Sequence, residues 1–594
     1  MLMIDMKEKV FSMMLLASMA AVTTACTSDD PFSNYADDIN NWSGGYTGGG
    51  SSSATGELTT FDVSIDQVTA EPASTADAYY PNTKDVFSSS DYTVQIAIDM
   101  SAPMASSSNG VEVTVSGGHV TANHGTTKNV CYVVSGTASN GSLTILGDQK
   151  YEVLLSGASI TNPDSAALSL LSGSRAFVVM ADGTSNTLTD GTTSQNSHKG
   201  ALYCKGKLIF CGSGSLSVYG RYNNAIHSAD YIIFERGANV YANSTANHGV
   251  KANDGIFING GILNVEVSAT AAKGINCESH VIVNGGRTTV ITTGDGTYDT
   301  DDREAKGSAC IKADSTFTQN GGVLLLKSTG TGGKGIKADM QASFTGGEAY
   351  IVTTGGQFSS NGDTSSPKGI KIDGDLTISG GTIWVRTGGR GGEGIETKST
   401  LTISGGEVAS YAYDDAINSK STMTITGGYV FAQGRNNDGL DANGNMYIKG
   451  GLVYAVCSGS PEVALDANTE GGYKLYVEGG TIIAVGGLEG GSSLSQSCYQ
   501  ASSWSSNTWY ALTAGSTTFG FKTPQSGGSG IVVSAASTPS LQSGSTLSGG
   551  TSVFGGMGNY GCTAVGGTAV SLSSYSGGSA MGGGPGGGHG GGWW

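Results

Sequence analysis

The sequence predicts an all-β fold, a solenoid of stacked parallel coils that ends in a short C-terminal β cap. Glycine makes up 96 of the 594 residues and proline only 10, which is typical of many tight turns but lacks the Gly-X-Y period of collagen. Charged residues are 13% of the chain, which disfavours an all-helical or doubly wound fold. A Gly-Gly pair also recurs between short runs of alternating apolar residues, the pattern of half-buried strands.

Two motifs repeat in step and predict the coils. The first is a Gly-Gly pair that ends at Gly261, Gly286, Gly322, Gly347, Gly381, Gly406, Gly428, Gly451 and Gly480. The second keeps the same intervals, as in HGVKAND, KGINCES, KGIKADM, KGIKIDG and DGLDANG. Motifs that move together in this way indicate a solenoid, here a parallel β-helix with coils ~4.8 Å apart. The two longest intervals carry insertions at 294–306 and near 355–367.

Alignment of the coils predicts columns of side chains. One interior column is Ile226, Val250, Ile275, Ile311, Ile336, Ile370, Ile395, Ile417 and Leu440. A column of small residues lies two positions later, at Cys204, Ser228, Ala252, Cys277, Ala313 and Ala338. Cys204 and Cys277 would be three coils apart, too far for a disulfide. The cysteines after Cys26 form no CxxC motif, so we expect buried thiols rather than zinc ligands.

The chain is expected to divide into six segments. Residues 1–25 are typical of a lipoprotein signal peptide, and Cys26 follows in a sequence similar to a lipidation motif. The other segments are a flexible tether (26–56), an N-terminal cap segment (57–109), the parallel β-helix (110–489), a C-terminal cap (490–575) and a disordered glycine-rich tail (576–594). A lipid on Cys26 would be the only membrane contact and would place the protein at the outer membrane or cell surface. The alternative is cleavage without lipidation.

The order of several motifs resembles a known family. YVVSG, LLSGASITN, ADGTSNTLTDG and NNAIHSADYI precede the KGIKAD and SGG repeats, in an order similar to that of the cellulose- and acid-sugar-binding β-helix proteins, which carry the description "carbohydrate-binding domain-containing protein". The resemblance covers about residues 110–570. It implies a right-handed parallel β-helix that binds calcium and polysaccharide. The structural relatives that it implies include family-nine pectate lyases, which use a lysine base and calcium held by aspartates.

Three lysines are expected to share one outward column. Because Ile336 and Ala338 face the interior, Lys337 faces outward, and Lys312 and Lys371 hold the same position on the neighbouring coils. Asp314, Asp339 and Asp373 lie two residues further along the same strands. One interpretation is a lattice of solvated ion pairs worth about 0–1 kcal/mol each. The other is a platform for acidic sugars, and in a lyase Lys337 would be the general base.

An acidic insertion is the predicted metal site. Asp295, Asp299, Asp301 and Asp302 lie close together in the 294–306 insertion, next to the coils that carry Asp314 and Asp339. Calcium prefers six to eight oxygen ligands, often from several carboxylates. We therefore expect these residues to hold calcium, although the loop lacks the spacing of an EF-hand. The alternative is a solvated acidic loop.

A third outward column carries aromatic residues. Three residues after each Gly-Gly pair it contains Leu325, Tyr350, Trp384, Ala409, Phe431 and Tyr454. Outward rings at this spacing suit the apolar faces of pyranose sugars, so Tyr350, Trp384, Phe431 and Tyr454 are expected to contact glycan. The alternative is that the N-terminal segment or the C-terminal cap packs over this column.

These features favour a non-catalytic, surface-anchored protein that binds acidic or cellulosic polysaccharide with the help of calcium. A calcium-dependent polysaccharide lyase and a structural or adhesive solenoid are the alternatives. The net charge of −18 and the absence of a basic domain argue against nucleic acid as a partner. The sequence has no GxSxG motif and no Cys/His pair at a spacing recognisable for nucleophilic catalysis.

Overall fold

The computed structural model confirms the predicted all-β parallel β-helix. It describes residues 63–64, 71–195 and 198–577. The predicted signal peptide, Cys26, the tether and the tail beyond residue 577 lie outside the described residues. The strands stack as a parallel β-solenoid of about 15 turns, and none of the helices in the described part of the chain is long and apolar enough to span a membrane.

Each coil contributes one strand to each of three faces, which we name A, B and C. In one coil these strands are Val250–Ala252 on face A, Gly255–Ile258 on face B and Ile262–Val267 on face C, and Lys273–Cys277 then begins the next coil on face A. Face A is a 16-stranded sheet, and faces B and C are joined within one 31-stranded sheet.

The strands of face A are Ser106–Ser108, Val111–Ser116, His119–Asn123, Ser142–Leu146, Leu168–Leu170, Gly200–Cys204, Asn224–Ser228, Val250–Ala252, Lys273–Cys277, Ala309–Ala313, Lys334–Ala338, Lys368–Ile372, Glu393–Thr397, Ile417–Ser419, Leu440–Ala442 and Leu465–Ala467. The first three strands pair in antiparallel fashion and the later ones in parallel.

The strands of face B are Val94–Asp99, Arg175–Met180, Lys207–Gly212, Tyr231–Phe234, Gly255–Ile258, Val281–Val283, Thr316–Gln319, Gln341–Phe344, Leu376–Ile378, Leu401–Ile403, Met423–Ile425, Met446–Ile448, Leu475–Val477 and Ser493–Leu494. The strands of face C are Ser185–Asp190, Ser215–Gly220, Asn239–Ser244, Ile262–Val267, Arg287–Thr292, Val323–Ser328, Glu348–Thr353, Thr382–Thr387, Glu407–Ala412, Tyr429–Gly434, Leu452–Val456 and Thr481–Val485. Two long strands, Val130–Ala138 and Tyr151–Asn162, run through both faces.

The predicted interior column is present in the register of face A. Ile275, Ile311, Ile336 and Ile370 are partners on successive strands, and all four are fully buried. Truncating a buried isoleucine to alanine in such a column costs about 2–5 kcal/mol, because the neighbouring coils cannot fill the cavity. All eight described cysteines are buried free thiols. The column alignment predicted this for Cys204 and Cys277, and the absence of a CxxC motif predicted it for most of the others.

The Gly-Gly pairs form the corner between faces B and C. Gly347, the second glycine of its pair, has a φ of 79°, which L-residues with side chains rarely adopt. A Cβ atom there would lie 2.6 Å from the backbone carbon of Gly321 on the previous coil. This close approach between coils explains why the pair recurs.

The N-terminal segment packs on the outer side of face B. Two short 3₁₀ helices, Thr83–Asp85 and Ser89–Asp91, lie in this segment. Buried Asp85 accepts hydrogen bonds from Arg175 Nε at 2.5 Å and from the Tyr231 hydroxyl at 2.7 Å. Tyr92 contributes to a second apolar cluster with Phe177. The described part of the segment therefore covers the early strands of face B.

The C-terminal segment adds a small antiparallel domain. Its six-stranded sheet consists of Trp509–Ala514, Thr517–Lys522, Ser540–Ser543, Thr551–Val553, Gly558–Tyr560 and Thr568–Val570, and its remaining elements are the strand pair Thr546–Ser548 and Thr563–Val565 and the 3₁₀ helix Phe554–Gly556. Ile531–Ser534 pairs in antiparallel fashion with Thr481–Val485, the last strand of face C, and with Cys498–Ala501, which also pairs with Ser573–Tyr575.

Candidate functional site

An open groove lies along face A, and we name it the lysine groove. Its floor is the outer surface of the face A strands between Lys251 and Lys398, and its cavity volume is about 1050 Å³. Two hairpins form a wall on one side: Thr297–Asp299 with Glu304–Lys306, and Phe358–Ser360 with Asp363–Ser365. They contact each other where the Ala305 amide donates to Asp363 Oδ2 at 2.6 Å. The hairpins are the two insertions that lengthen the repeat intervals.

The predicted lysine column lies on the floor of this groove. Lys312, Lys337 and Lys371 are register partners on three successive strands. Their ammonium groups are held by the adjacent acidic column: Lys312 Nζ contacts Asp314 and lies 2.9 Å from Asp339, and Lys371 Nζ lies 3.1 Å from Asp373. The structure thus brings the predicted lysines together, each next to a carboxylate.

A second lysine column was missed by the sequence analysis. Lys273, Ala309, Lys334, Lys368 and Glu393 are partners at the start of successive face A strands. Period-two alternation assigns Lys334 to the same side as Ile336, the interior, but the Lys334 side chain lines the groove. The repeated lysine of the KGI motif was the only signal for this column. Period-two alternation does not hold there, because Lys334, Gly335 and Ile336 are all buried.

Most lysines of the groove are neutralised locally. Nine lysines line it, and seven of them contact a carboxylate: Lys251, Lys306, Lys312, Lys337, Lys368, Lys371 and Lys398. Within the described chain, Lys273 and Lys334 contact none. Lys273 Nζ instead donates to the carbonyls of Ala271 and Gly307, and Lys334 Nζ donates to the Gly332 carbonyl and to Ser365 Oγ.

The two unneutralised lysines have depressed pKa values. Burial and then the charges of Lys337, Lys312 and Lys306 lower the pKa of Lys273 to about 7. Burial and neighbouring lysines, Lys371 first, lower the pKa of Lys334 well below its usual range. In contrast, Lys368 is buried, but Glu393 and Glu396 raise its pKa. The groove therefore holds lysines of two kinds: seven that contact a carboxylate, and two that contact none within the described chain and have lowered pKa values.

The predicted calcium ligands do not form one carboxylate cluster. Asp299 and Asp302 both contact Lys306 Nζ, the former at 2.8 Å, and the pKa of Asp299 is lowered chiefly by its hydrogen bond to that lysine. Asp295 accepts from the amide and hydroxyl of Thr331, and the Asp301 amide donates to Asp299 Oδ1. Asp314 and Asp339 are engaged by Lys312. Two lysines, Lys306 and Lys312, thus pair with four of the six predicted calcium ligands.

A different group of carboxylates comes together further along face A. One oxygen each from Asp438, Asp441 and Asp466 lie within 4.8 Å of one another. Burial, followed by neighbouring carboxylates, raises the pKa of Asp441 to about 7. Burial also raises the pKa of Asp438 to about 8 and that of Asp466 to about 9. Asp441 and Asp466 are register partners, and the repeated LDAN motif was the signal that the sequence analysis did not use.

The C-terminal domain divides the predicted aromatic column on face C. Phe431 and Tyr454 are fully buried, because Phe554 packs 5.7 Å from Phe431 and Phe521 packs 5.3 Å from Tyr454, between ring centroids. This corrects their assignment as glycan contacts. Tyr350 and Trp384 stay half-buried and meet edge to face at 5.2 Å. They lie on face C, so the lysines and the aromatic rings occupy different faces.

The chain is thus a β-solenoid with a charged groove on one face. A family model described as "carbohydrate-binding domain-containing protein" matches residues 116–277 and 239–416, together about half of the chain. The chain therefore belongs to the carbohydrate-binding domain-containing family.

A curated relative carries the same description. This protein of Acetivibrio thermocellus is 29% identical to the chain over 112 residues, which are 18% of this chain and 39% of the relative. The match therefore spans well under half of the relative's length. A solved structure, described as the polysaccharide lyase-like protein from C. thermocellum in a gadolinium derivative, is 16% identical with a TM-score of 0.26, and the match covers 57% of this chain and 99% of that one.

Proposed function

We propose that this protein binds acidic polysaccharide in the lysine groove, with calcium held nearby, as a lipid-anchored protein of the cell surface. The family supplies the ligand class, carbohydrate. The observation that carries the finer proposal is the column Lys312, Lys337 and Lys371 along an open groove of about 1050 Å³. Successive coils are ~4.8 Å apart, so a glycan along the axis would meet a cation on each coil.

Electrophoresis through gels that contain polysaccharide tests the binding. We expect polygalacturonate to retard the protein and a neutral glucan to leave its mobility unchanged. Lys337→Ala should weaken the retardation, more at low salt because exposed charges are then screened less. Lys449→Ala is the matched control, since Lys449 lies outside the groove and pairs with Glu478. Equal mobility in both gels would rule out the proposal.

Calcium is the second part of the proposal, and its best-fitting residues are Asp438, Asp441 and Asp466. Three carboxylates with raised pKa values repel one another when ionised, and a divalent cation would relieve that repulsion. Their oxygens are close enough to share one ion. The cluster lies on face A beyond the Lys398 end of the groove. A bound cation there would extend the positive surface that an acidic polymer meets.

A lyase is the second candidate function, and the depressed pKa of Lys273 favours it. A weakly basic amine in a groove with acidic sugar could take the proton α to a uronate carboxylate while the glycosidic oxygen leaves. The residue supported for this role is Lys273 rather than Lys337, which contacts Asp339 at 3.4 Å. Release of unsaturated oligosaccharides, detected by near-ultraviolet absorbance, should then be lost in Lys273→Met and retained in Lys337→Met. No release by the wild type would exclude the lyase.

The anchor can be tested separately. We expect the full-length chain, expressed in a bacterium that processes lipoproteins, to incorporate an alkyne-labelled fatty acid, and Cys26→Ala to abolish the label. Labelling that persists in Cys26→Ala would show that Cys26 is not the lipidated residue.

A further inference from the structure

Two lysines of the groove differ from the other seven in their contacts. Lys273 and Lys334 lack a carboxylate contact within the described residues, while the other seven lysines of the groove have one. Lys334 is 8% exposed, and a charged amine at such burial is normally paired. The lack of a paired anion at these two amines calls for an explanation other than surface solvation.

We propose that Lys273 and Lys334 form two oxyanion subsites, each of which takes the carboxylate or sulfate ester of one sugar residue of the bound glycan. This inference rests on the proposed function, because it assumes a glycan in the lysine groove. It goes further by assigning the acidic groups of the ligand to two specific amines and by fixing their separation.

The hydrogen bonds of each amine leave one position for the ligand. Lys273 Nζ donates to the Ala271 carbonyl and, at 2.9 Å, to the Gly307 carbonyl. Lys334 Nζ donates to the Gly332 carbonyl at 2.8 Å and to Ser365 Oγ at 2.5 Å. A neutral amine has two hydrogens, which these acceptors use, and an ammonium group has three. Protonation therefore supplies one further donor at each lysine, directed at the ligand.

The two subsites are separate because Ala309 stands between them. Lys273 and Lys334 are both register partners of Ala309, on the coils before and after it. Two coil steps amount to ~9.6 Å along the axis, about the length of an extended disaccharide. Each amine is also held by acceptors of its own coil and the next one. One oxyanion therefore cannot bridge both lysines, and the arrangement suits acidic groups on alternate sugars.

Lys312 and Lys337, which the proposed function places along the polymer, attract it through their charge at a distance, but they are less suited to direct contact with an oxyanion. Lys312 already contacts Asp314 and Asp339, and Lys337 contacts Asp339. A sugar oxyanion at these lysines would have to displace a protein carboxylate, whereas at Lys273 and Lys334 it would displace none. Lys273 and Lys334 thus determine which acidic groups of the polymer are bound directly.

Binding at these subsites takes up protons from solvent. The charges around Lys273 are mostly positive: Lys306 on the hairpin and Lys312 and Lys337 on the following coils lower its pKa, and Asp314 opposes them. On the preceding coil His248 accepts from the Lys273 amide, and burial with nearby lysines lowers the pKa of His248 to about 3, so that it stays neutral. The charges around Lys334 that lower its pKa are those of four lysines: Lys371, Lys337, Lys273 and Lys368. An oxyanion favours the ammonium form, so each amine gains a proton as the ligand binds.

This coupling between proton uptake and binding determines how the affinity for the glycan depends on pH. The pKa of Lys273 is about 7 in the free protein, and a bound oxyanion raises it. Above pH 7 the free amine is mainly neutral, so binding consumes a proton and the affinity falls about tenfold per pH unit for each proton taken up. Below pH 7 the Lys273 contribution levels off, because the free lysine is already charged.

Titration calorimetry of the full-length protein with two acidic probes tests the inference. The probes are a galacturonate hexasaccharide and dextran sulfate, and dextran is the neutral control. At pH 7.5 we compare two buffers of equal ionic strength whose ionisation enthalpies differ. We expect net proton uptake on binding, reduced in Lys273→Met and in Lys334→Met and unchanged in Lys449→Met. Binding of the hexasaccharide alone assigns a carboxylate to the subsites, and binding of dextran sulfate alone assigns a sulfate ester.

The outcomes separate this inference from the proposed function. Binding of an acidic probe without proton uptake, at unchanged affinity in both methionine variants, would overturn the two subsites and leave the proposed function standing. No binding of either acidic probe by the wild type would remove the proposed function and the inference with it. The wild-type buffer comparison needs no variant, so the inference stays testable even where a substitution at buried Lys334 impairs folding.

Discussion

Trp384 and Phe554 bind the same carboxylate oxygen. Glu407 Oε1 accepts the indole N–H of Trp384 at 2.9 Å and the backbone N–H of Phe554 at 2.8 Å. Trp384 belongs to the solenoid and Phe554 to the C-terminal segment. One half-buried side chain therefore joins the half-buried aromatic pair of face C to the domain that covers the rest of that column.

The first prediction concerns this junction. Glu407→Ala removes the acceptor that the Phe554 amide and the Trp384 indole share, and we expect a loss of about 1–3 kcal/mol in the free energy of unfolding. Glu407→Gln keeps a carbonyl oxygen at the same place and should lose much less. Urea denaturation of both variants measures the difference. Equal stability of Glu407→Ala and wild type would show that the shared carboxylate does not stabilise the docked segment.

The second prediction concerns glycan contact on face C. If the half-buried pair of Tyr350 and Trp384 stacks on sugar, Trp384→Ala should weaken glycan binding by about 1–3 kcal/mol, as loss of an aromatic anchor usually does. Tyr454→Phe is the matched control, because the buried Tyr454 hydroxyl donates to the Lys522 carbonyl at 2.8 Å. That control should alter the melting temperature and leave affinity intact. A Trp384→Ala variant that binds like wild type would limit glycan contact to the lysine groove.

The third prediction distinguishes two calcium sites. Calcium that binds the folded state raises the melting temperature, and we expect Asp441→Asn combined with Asp466→Asn to remove that rise. The triple variant with Asn at positions 299, 301 and 302 should retain it, because Lys306 already engages Asp299 and Asp302. Differential scanning fluorimetry with and without chelator makes the comparison. The opposite pattern would support the acidic insertion predicted from the sequence.

The fourth prediction concerns stability without calcium. The folded-state pKa values of Asp441, Asp438 and Asp466 are about 7, 8 and 9. The pKa of an aspartate in the unfolded chain is about 3.9. Between these values the folded state binds more protons than the unfolded state, so stability is greatest at low pH and falls as pH rises from about 4 towards about 9. In chelator, the aspartate cluster should therefore contribute more to the unfolding free energy at pH 5 than at pH 8, while Lys273 and Lys334, whose folded-state pKa values are lowered, contribute in the opposite direction.

A substitution provides the check on that pH dependence. Asp466→Asn removes one of the repelling charges, so the difference in unfolding free energy between pH 5 and pH 8 should shrink. Asp230→Asn serves as control, because Asp230 pairs with Lys207 outside the cluster. A pH dependence that is the same in Asp466→Asn and wild type would place its origin elsewhere in the chain.

The sequence alone determined the solenoid and its interior. The paired repeats and the period-two alternation predicted the column of Ile311, Ile336 and Ile370. A coil that buries one side of each strand requires apolar residues at regular positions, and these recur in the sequence. The same alignment predicted the outward register of Lys312, Lys337 and Lys371 and the buried thiols of Cys204 and Cys277. These features depend on contacts between equivalent positions of successive coils.

Only the tertiary structure decided what lies over the faces. Phe431 and Tyr454 fit the outward pattern as well as Trp384 does, but a domain far along the chain buries them, and no local periodicity encodes that contact. Lys273 and Lys334 line the groove, although the alternation would have placed them inside, and their amines are held there by the carbonyls of Ala271 and Gly332. Lys306 neutralises two of the predicted metal ligands, Asp299 and Asp302, through the folding of its own hairpin. Charge pairing and coverage depend on distances between non-equivalent residues, which a repeat pattern does not specify.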